Sequence, residues 1–233
     1  MKISKGKGLL LLGVCLVVVD QVIKILVKTN MSIGEHFSVI GNWFQILFIE
    51  NEGMAFGMKF GGATGKILLS VFRIGLFGFL CWWISRLVRK SWLRDAVGRP
   101  VVKNGRFQLD RWEDGRPKVP TGVLAGLTLI TAGAFGNIID SLFYGMIFSA
   151  SAPGIVASFG GSYAPFLCGK VVDMLYFPLI DTTWPAWMPF VGGERLLFFA
   201  PVFNFADSCV TVGAFYLILF QYKFFTREDK QAA

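Results

Sequence analysis

Four stretches of this chain, residues 8–27, 67–88, 122–140 and 202–220, run for about 20 residues with few charges, the length and apolarity that match the hydrocarbon core of a bilayer. In lipid a backbone must satisfy its own N–H and C=O groups, so each stretch is predicted to be a transmembrane α-helix. Composition agrees, with 54% hydrophobic residues, 16% charged residues and a mean hydropathy of +0.58, whereas soluble domains carry roughly 25% charged residues. The 24 Phe and 7 Trp present more apolar surface than a water-facing shell of so few charges could cover. The expected class is a mainly α membrane protein: four transmembrane helices with both termini cytoplasmic, plus a small extracytoplasmic β and loop lobe, forming one integral-membrane domain over residues 1–233. The first stretch follows three lysines and contains L-G-V-C at residues 12–15. Val14 is too bulky for a cleavage box, however, and the apolar run continues to Val27, so an uncleaved anchor is expected.

Charge distribution orients the helices, because basic loops stay on the cytoplasmic side. Residues 1–7, 89–120 and 221–233 together hold 15 basic and 6 acidic side chains, a net +9. Residues 28–65 and 141–201 hold 4 basic and 6 acidic ones, a net −2. The basic 89–121 loop is therefore predicted inside and the 28–66 and 141–201 segments outside. Topology accounts for the overall +8, and no nucleic-acid partner is needed to explain it.

Few cofactor chemistries are open to this chain. Cys15, Cys81, Cys168 and Cys209 show no metal-type spacing, and His36 is the only histidine, so neither a zinc site nor a Ser-His-Asp triad is indicated. No metal and no cofactor is expected. The outer segments carry more information. Residues 37–49 are aromatic and β-branched, broken by Gly41 and Asn42, and are predicted to form one or two strands at the membrane interface. Residues 144–169 are rich in Gly, Ser, Ala and Pro, and residues 177–199 in Pro and Trp, which suggests a mobile interfacial lobe.

Ionisable residues inside a span are costly unless paired or hydrated, so they are functional candidates. On the predicted topology they gather at one depth. Asp20 and Lys24 lie in the outer half of the first helix, four residues apart on one face. Asn137 and Asp140 end the third helix, Asn204 and Asp207 begin the fourth, and Asp173 comes from the preceding outer segment. Structural readings stand beside the functional one: Asp20 with Lys24 as an intrahelical ion pair, Asn137 and Asn204 as amide links between helices, Asp140 as a loop cap. Asp181, in D-T-T, lacks the glycine of a soluble aspartic-protease loop and is read as a turn residue. Arg73 and Arg86 are read as helix anchors, and Trp82 and Trp83 as interfacial.

Two carboxylates placed together in a half-dry site cannot both ionise readily; one holds a proton while the other stays charged. Such a pair is a general acid and a general base at once, able to activate water and protonate a departing amine. Asp173 and Asp207 flank the outer end of the fourth helix and are the best placed to form it.

The motifs D-Q-V-I-K at residues 20–24, N-E-G-M-A-F-G at 51–57, G-A-F-G-N-I-I-D at 133–140, V-V-D at 171–173 and F-N-F-A-D-S at 203–208 resemble those of the bacterial lipoprotein signal peptidases, or signal peptidase II. The resemblance implies an aspartic endopeptidase of the bacterial inner membrane, with its active site towards the outer leaflet. It would remove signal peptides from prolipoproteins by cutting before a diacylglyceryl-modified cysteine, and would bind cyclic peptides of the globomycin type. It implies Asp173 and Asp207 as the catalytic pair. Asn51, Gly53, Gly133, Asn137, Asp140 and Asn204 would surround and orient the substrate, with Asp20 and Lys24 supporting fold and site. Gly53 and Gly57 would let an apolar flap close over the substrate.

Two departures from the family pattern stand out. Ser141 occupies the position usually held by arginine after the third-helix Asp, so Lys170 or Arg195 is expected to supply the missing cation. Thirty-two residues separate Asp140 from Asp173, which points to an enlarged outer lobe. The competing reading is a small proton- or cation-coupled transporter lined by Asp20, Asp140, Asp173 and Asp207. It predicts carboxylates spread through membrane depth, but the inner halves of the helices are almost wholly apolar. A third reading, a non-catalytic scaffold, would not require two acids set within these motifs.

Overall fold

The computed structural model describes residues 5–52, 62–103, 105–113, 115–198 and 201–226. Among these, three helices are long and apolar enough to cross a membrane: Gly6–Asn30, Thr64–Lys90 and Thr121–Ile147. The first two belong to α1 (Lys5–Asn30) and α2 (Gly62–Lys90). The third combines α3 (Thr121–Ile139), a π-helical turn (Asp140–Tyr144) and α4, a single turn at Gly145–Ile147. A shorter apolar helix, α5 (Phe205–Phe220), follows, and then α6 (Tyr222–Thr226).

The expected 202–220 span begins late. Val202–Phe203 is a strand rather than helix, because its backbone pairs with a neighbouring strand, and the helix starts only at Phe205. The 122–140 span instead runs on to Ile147. Large side chains such as Leu10 (70% exposed), Phe72 (65%) and Ile218 (66%) project from these helices, as lipid-facing residues do.

The strands are β1 (His36–Ile40), β2 (Phe44–Asn51), β3 (Val102–Lys103), β4 (Arg106–Phe107), β5 (Val171–Tyr176), β6 (Ile180–Thr183), β7 (Arg195–Phe198) and β8 (Val202–Phe203). An antiparallel sheet runs in the order β1-β2-β5-β8. Of the one or two strands anticipated in residues 37–49, two are present, with β1 beginning at His36 and β2 continuing to Asn51. The 177–199 segment carries the β6–β7 hairpin, and Asp181 stands in β6 rather than in a turn, since Asp181 pairs with Leu197 across the ladder.

The chain divides into two compact units. One is built from residues 19–71 and 136–205 and contains the four-stranded sheet. Its core joins Val27 of α1, Met31 just after that helix, Phe48 of β2, Val172 and Met174 of β5, and Tyr144, Phe148 and Ala157. Alternation explains the pattern: Phe48, Val172 and Met174 face this core, which turns Asp173 to the opposite face of β5. Phe44, Phe177 and Phe203 stack in a row, with centroids 4.7 Å and 5.6 Å apart.

The other unit comprises residues 1–18, 72–135 and 206–233, with a core of Leu9, Leu87, Val119, Val123, Leu124, Leu127 and Leu217. Here α3 and α5 pack closely because α3 presents Gly122, Gly126 and Gly133. A Cβ at Gly126 would collide with Leu217, and one at Gly133 with the carbonyl oxygen of Ala206, the small-residue contact that membrane helices use where no hydrophobic drive exists. Thr128 and Thr131 return their hydroxyls to the carbonyls four residues back, at 2.8 Å and 2.7 Å, so neither needs another partner in lipid.

The basic 89–121 segment is more than a connector. Arg94 to Pro100 and Arg111 to Pro117 form two closed turns of matching design, R-x-x-x-G-R-P. In each, the first arginine donates to the glycine carbonyl at 2.5 Å, and the glycine takes a positive φ, 82° at Gly98 and 79° at Gly115, which a residue with a Cβ adopts only with strain. β3 and β4 pair between them.

Candidate active site

The site residues of the sheet-bearing unit form one buried polar chain. Lys24 is wholly buried, and its ammonium lies 2.9 Å from Asp20 Oδ2, 2.9 Å from Asp140 Oδ2 and 2.8 Å from Asn137 Oδ1. Three donors thus meet three acceptors, the full capacity of an ammonium group. Helical spacing sets this up: Asp20 and Lys24 share a face of α1, and Asn137 and Asp140 are three apart at the end of α3. The expected intrahelical ion pair exists, but it is half of a larger arrangement.

The π turn that begins at Asp140 is a rare geometry that occurs often at functional sites. Carbonyls of this turn and of the α4 residue that follows it are satisfied from the 163–170 loop: Gly169 N–H donates to the Ser141 carbonyl at 2.9 Å, and those of Tyr163 and Ala164 to the Gly145 carbonyl of α4 at 2.8 Å and 3.0 Å. Rather than capping a loop, Asp140 Oδ2 accepts the N–H of Val172, in strand β5, at 3.2 Å. That bond ties the end of α3 to the strand bearing Asp173.

From Asn137 the chain continues to Asn204, whose Nδ2 donates to Asn137 Oδ1 at 3.0 Å and to Asp173 Oδ1 at 2.7 Å. Asn51 Nδ2 donates to Asp173 Oδ2 at 3.2 Å. Asp173 is 1% exposed, and each of its oxygens accepts an amide N–H, one from Asn51 in β2 and one from Asn204 between β8 and α5. The amide links anticipated for Asn137 and Asn204 are real, and they end on a carboxylate. Asp207 follows Asn204 by three residues, in the first turn of α5, and is partly buried. Its place there depends on Gly133, whose missing side chain admits the Ala206 carbonyl. Gly53 and Gly57, and with them the expected flap, lie outside the described residues.

Several participants were not legible in the sequence reading. Gln21 donates to the Gly136 carbonyl and to Asp140 Oδ1, each at 3.1 Å, and accepts the Tyr144 hydroxyl at 3.1 Å. It sits inside the D-Q-V-I-K motif, so position alone could have drawn notice to it. Behind β2, the wholly buried Lys28 pairs with Glu50 and with Ser151 Oγ at 3.0 Å. Lys170 reaches the other Glu50 oxygen at 3.3 Å, and its N–H donates to Tyr163 OH at 2.7 Å. Burial raises the Tyr163 phenol above its ordinary range.

Of the cations expected to replace the family arginine, Arg195 binds Asp181 through two bonds, 2.7 Å and 2.6 Å, on the exposed hairpin, and Lys170 binds Glu50. Ser141 donates to the Asn137 carbonyl at 3.0 Å.

Comparison with known proteins bears on the family and the fold. The profile of the family described as Signal peptidase (SPase) II matches residues 12–99 and 115–223. A lipoprotein signal peptidase of Porphyromonas gingivalis is 44% identical over 220 residues, covering 94% of this chain and 84% of that protein. One of Amoebophilus asiaticus is 32% identical, covering 94% and 78%. A solved bacterial membrane enzyme shares the fold, with a TM-score of 0.51, 22% identity and 93% of each chain covered. A second does so with a TM-score of 0.52, 21% identity and coverage of 97% and 94%. The transporter reading is set aside by this match, and the chain belongs to the signal peptidase II family.

Proposed function

We propose that this protein is an aspartic endopeptidase that removes signal peptides from prolipoproteins in the bacterial inner membrane, cutting before a diacylglyceryl-modified cysteine, with Asp173 and Asp207 as its catalytic pair. The observation that carries the reading is the double amide clamp on Asp173 from Asn51 and Asn204, with Asp207 in the same short motif as Asn204. A carboxylate held through both oxygens has a fixed direction, as a group acting on a water molecule must.

With one proton shared by the pair, the ionised member takes a proton from water as it attacks the scissile carbonyl. The protonated member gives its proton to the departing amide nitrogen. Neither a metal nor a side-chain nucleophile is required. The Asp20–Lys24–Asp140 triad acts one step back: Lys24 orients Asn137, Asn137 orients Asn204, and Asn204 holds Asp173. The charge asymmetry of the loops supports an active site towards the outer leaflet, the depth of the substrate's acyl chains. Cyclic peptides of the globomycin type would compete there.

The test is cleavage of a diacylglyceryl-modified prolipoprotein by the wild type and by separate Asp173→Asn and Asp207→Asn variants that retain their melting temperatures. Both variants should fall to background. Normal cleavage by either would remove that residue from the pair and with it the proposed mechanism.

A further inference from the structure

The helix-and-ribbon unit contains a cavity of about 1050 Å³. Its walls come from the last turn of α2, from the second R-x-x-x-G-R-P turn with the residues after it, and from the junction of α5 and α6. Lys90, Arg116, Lys118 and Lys223 line it together with one carboxylate, Asp110. Lys118 pairs with Asp110 at 3.1 Å, and four cationic side chains against one carboxylate give the lining a formal net charge of +3. One side is apolar: Leu87 belongs to the unit's core and Phe224 packs against it. A cavity with a cationic rim and an apolar wall, at the ends of membrane helices, matches an amphiphile with an anionic head.

We propose that this cavity binds the phosphate-bearing headgroup of an anionic membrane phospholipid, with the first carbons of its acyl chains against Leu87 and Phe224. The second tight turn puts Arg116 opposite Trp112, the Trp112 N–H donating to the Arg116 carbonyl at 2.9 Å. Pro117 and Pro120 then fix the path of Lys118 and Val119 into α3. Basic residues at the end of a membrane helix would serve topology without any cavity; a folded ribbon that gathers them along an open pocket with an apolar side suits a ligand. The inference is independent of the catalytic pair, since none of these residues belongs to it.

The full-length protein in non-ionic detergent is titrated with phosphatidylglycerol and with phosphatidylcholine, bound lipid being counted by native mass spectrometry. Phosphatidylglycerol should bind at least tenfold more tightly. Lys90→Gln combined with Lys223→Gln should weaken it about thirtyfold, as roughly 1 kcal/mol per cation implies, while Lys90→Arg with Lys223→Arg stays within about threefold by retaining the charges. Lys103→Gln, on β3 and outside the cavity lining, should change nothing. Equal binding of the two lipids, or unchanged binding in the Gln variant, overturns the proposal. So does displacement of the lipid by millimolar inorganic phosphate, which would mark a site for soluble anions. If the double Gln variant does not fold, Arg116→Gln carries the test, with about a fivefold loss expected.

Discussion

Replacing Lys24 by Met keeps most of the side-chain volume and removes only the ammonium group. In the structure that group is wholly buried and touches three oxygens at 2.8–2.9 Å, two of them on Asp20 and Asp140, which are 2% and 0% exposed. The substitution leaves two carboxylates desolvated without their shared cation. Removing one partner of a buried ion pair costs about 3–5 kcal/mol, and at about 1.4 kcal/mol per tenfold the folding equilibrium should fall by between a hundredfold and several thousandfold. Unfolding of the purified protein in mixed micelles, followed by far-ultraviolet circular dichroism, measures the loss. Asp140→Asn removes one of the orphaned charges, so the double variant Lys24→Met/Asp140→Asn should lose at least about 1 kcal/mol less than the two single losses added together. Turnover should drop more than stability alone explains, because Asn137 loses the group that fixes its carbonyl oxygen. Strict additivity, or a loss below about 1 kcal/mol for Lys24→Met, would refute the triad as a coupled unit.

Gly133→Ala places a Cβ against the Ala206 carbonyl, which can yield only if the first turn of α5 shifts. Overpacking of this kind costs about 1–3 kcal/mol, and cleavage should fall more than tenfold as Asp207 moves, measured beside a melting curve. Asn204→Leu deletes the 2.7 Å donor to Asp173 and the 3.0 Å donor to Asn137; a loss of about 1–3 kcal/mol is expected, with kcat lowered far more than KM is raised. On the β6–β7 hairpin, the Arg195 hydrogen bonds hold the Asp181 carboxyl below its ordinary range. A lowered carboxyl contributes stability above its unfolded pKa, near 3.9, and loses it as pH falls through the folded value. Hydrogen exchange of the hairpin, corrected for intrinsic rates, should therefore quicken only in acid, while Asp181→Asn exchanges fast throughout; identical profiles would show that the pair does not hold the hairpin.

Apolar run length alone determined that the chain enters a membrane and roughly where. The aromatic and β-branched content of residues 37–49, broken at Gly41 and Asn42, marked β1 and β2, since such side chains suit a pleated, part-buried surface. Asp20, Lys24, Asn137, Asp140 and Asn204 were also legible as a group, because polar residues are too costly in lipid to occur without a purpose, whereas Asn51 stood out only through its motif's resemblance to the family and Asp173 as the acid of the neighbouring outer segment. What joins what was not. Lys24 could be paired with Asp20 by helical spacing, but its bonds to Asp140 and Asn137 span more than a hundred positions, and no local pattern encodes them. Val202 and Phe203 read as helix by composition and became strand because β5 offered a ladder, a tertiary choice that outweighs propensity. The π turn at Asp140 arises because the 163–170 loop supplies donors to the carbonyls it releases. Gln21, Tyr144 and the Lys28–Glu50 pair stayed hidden for the same reason: each is defined by a partner distant in sequence, and only the folded chain brings those partners within hydrogen-bond reach.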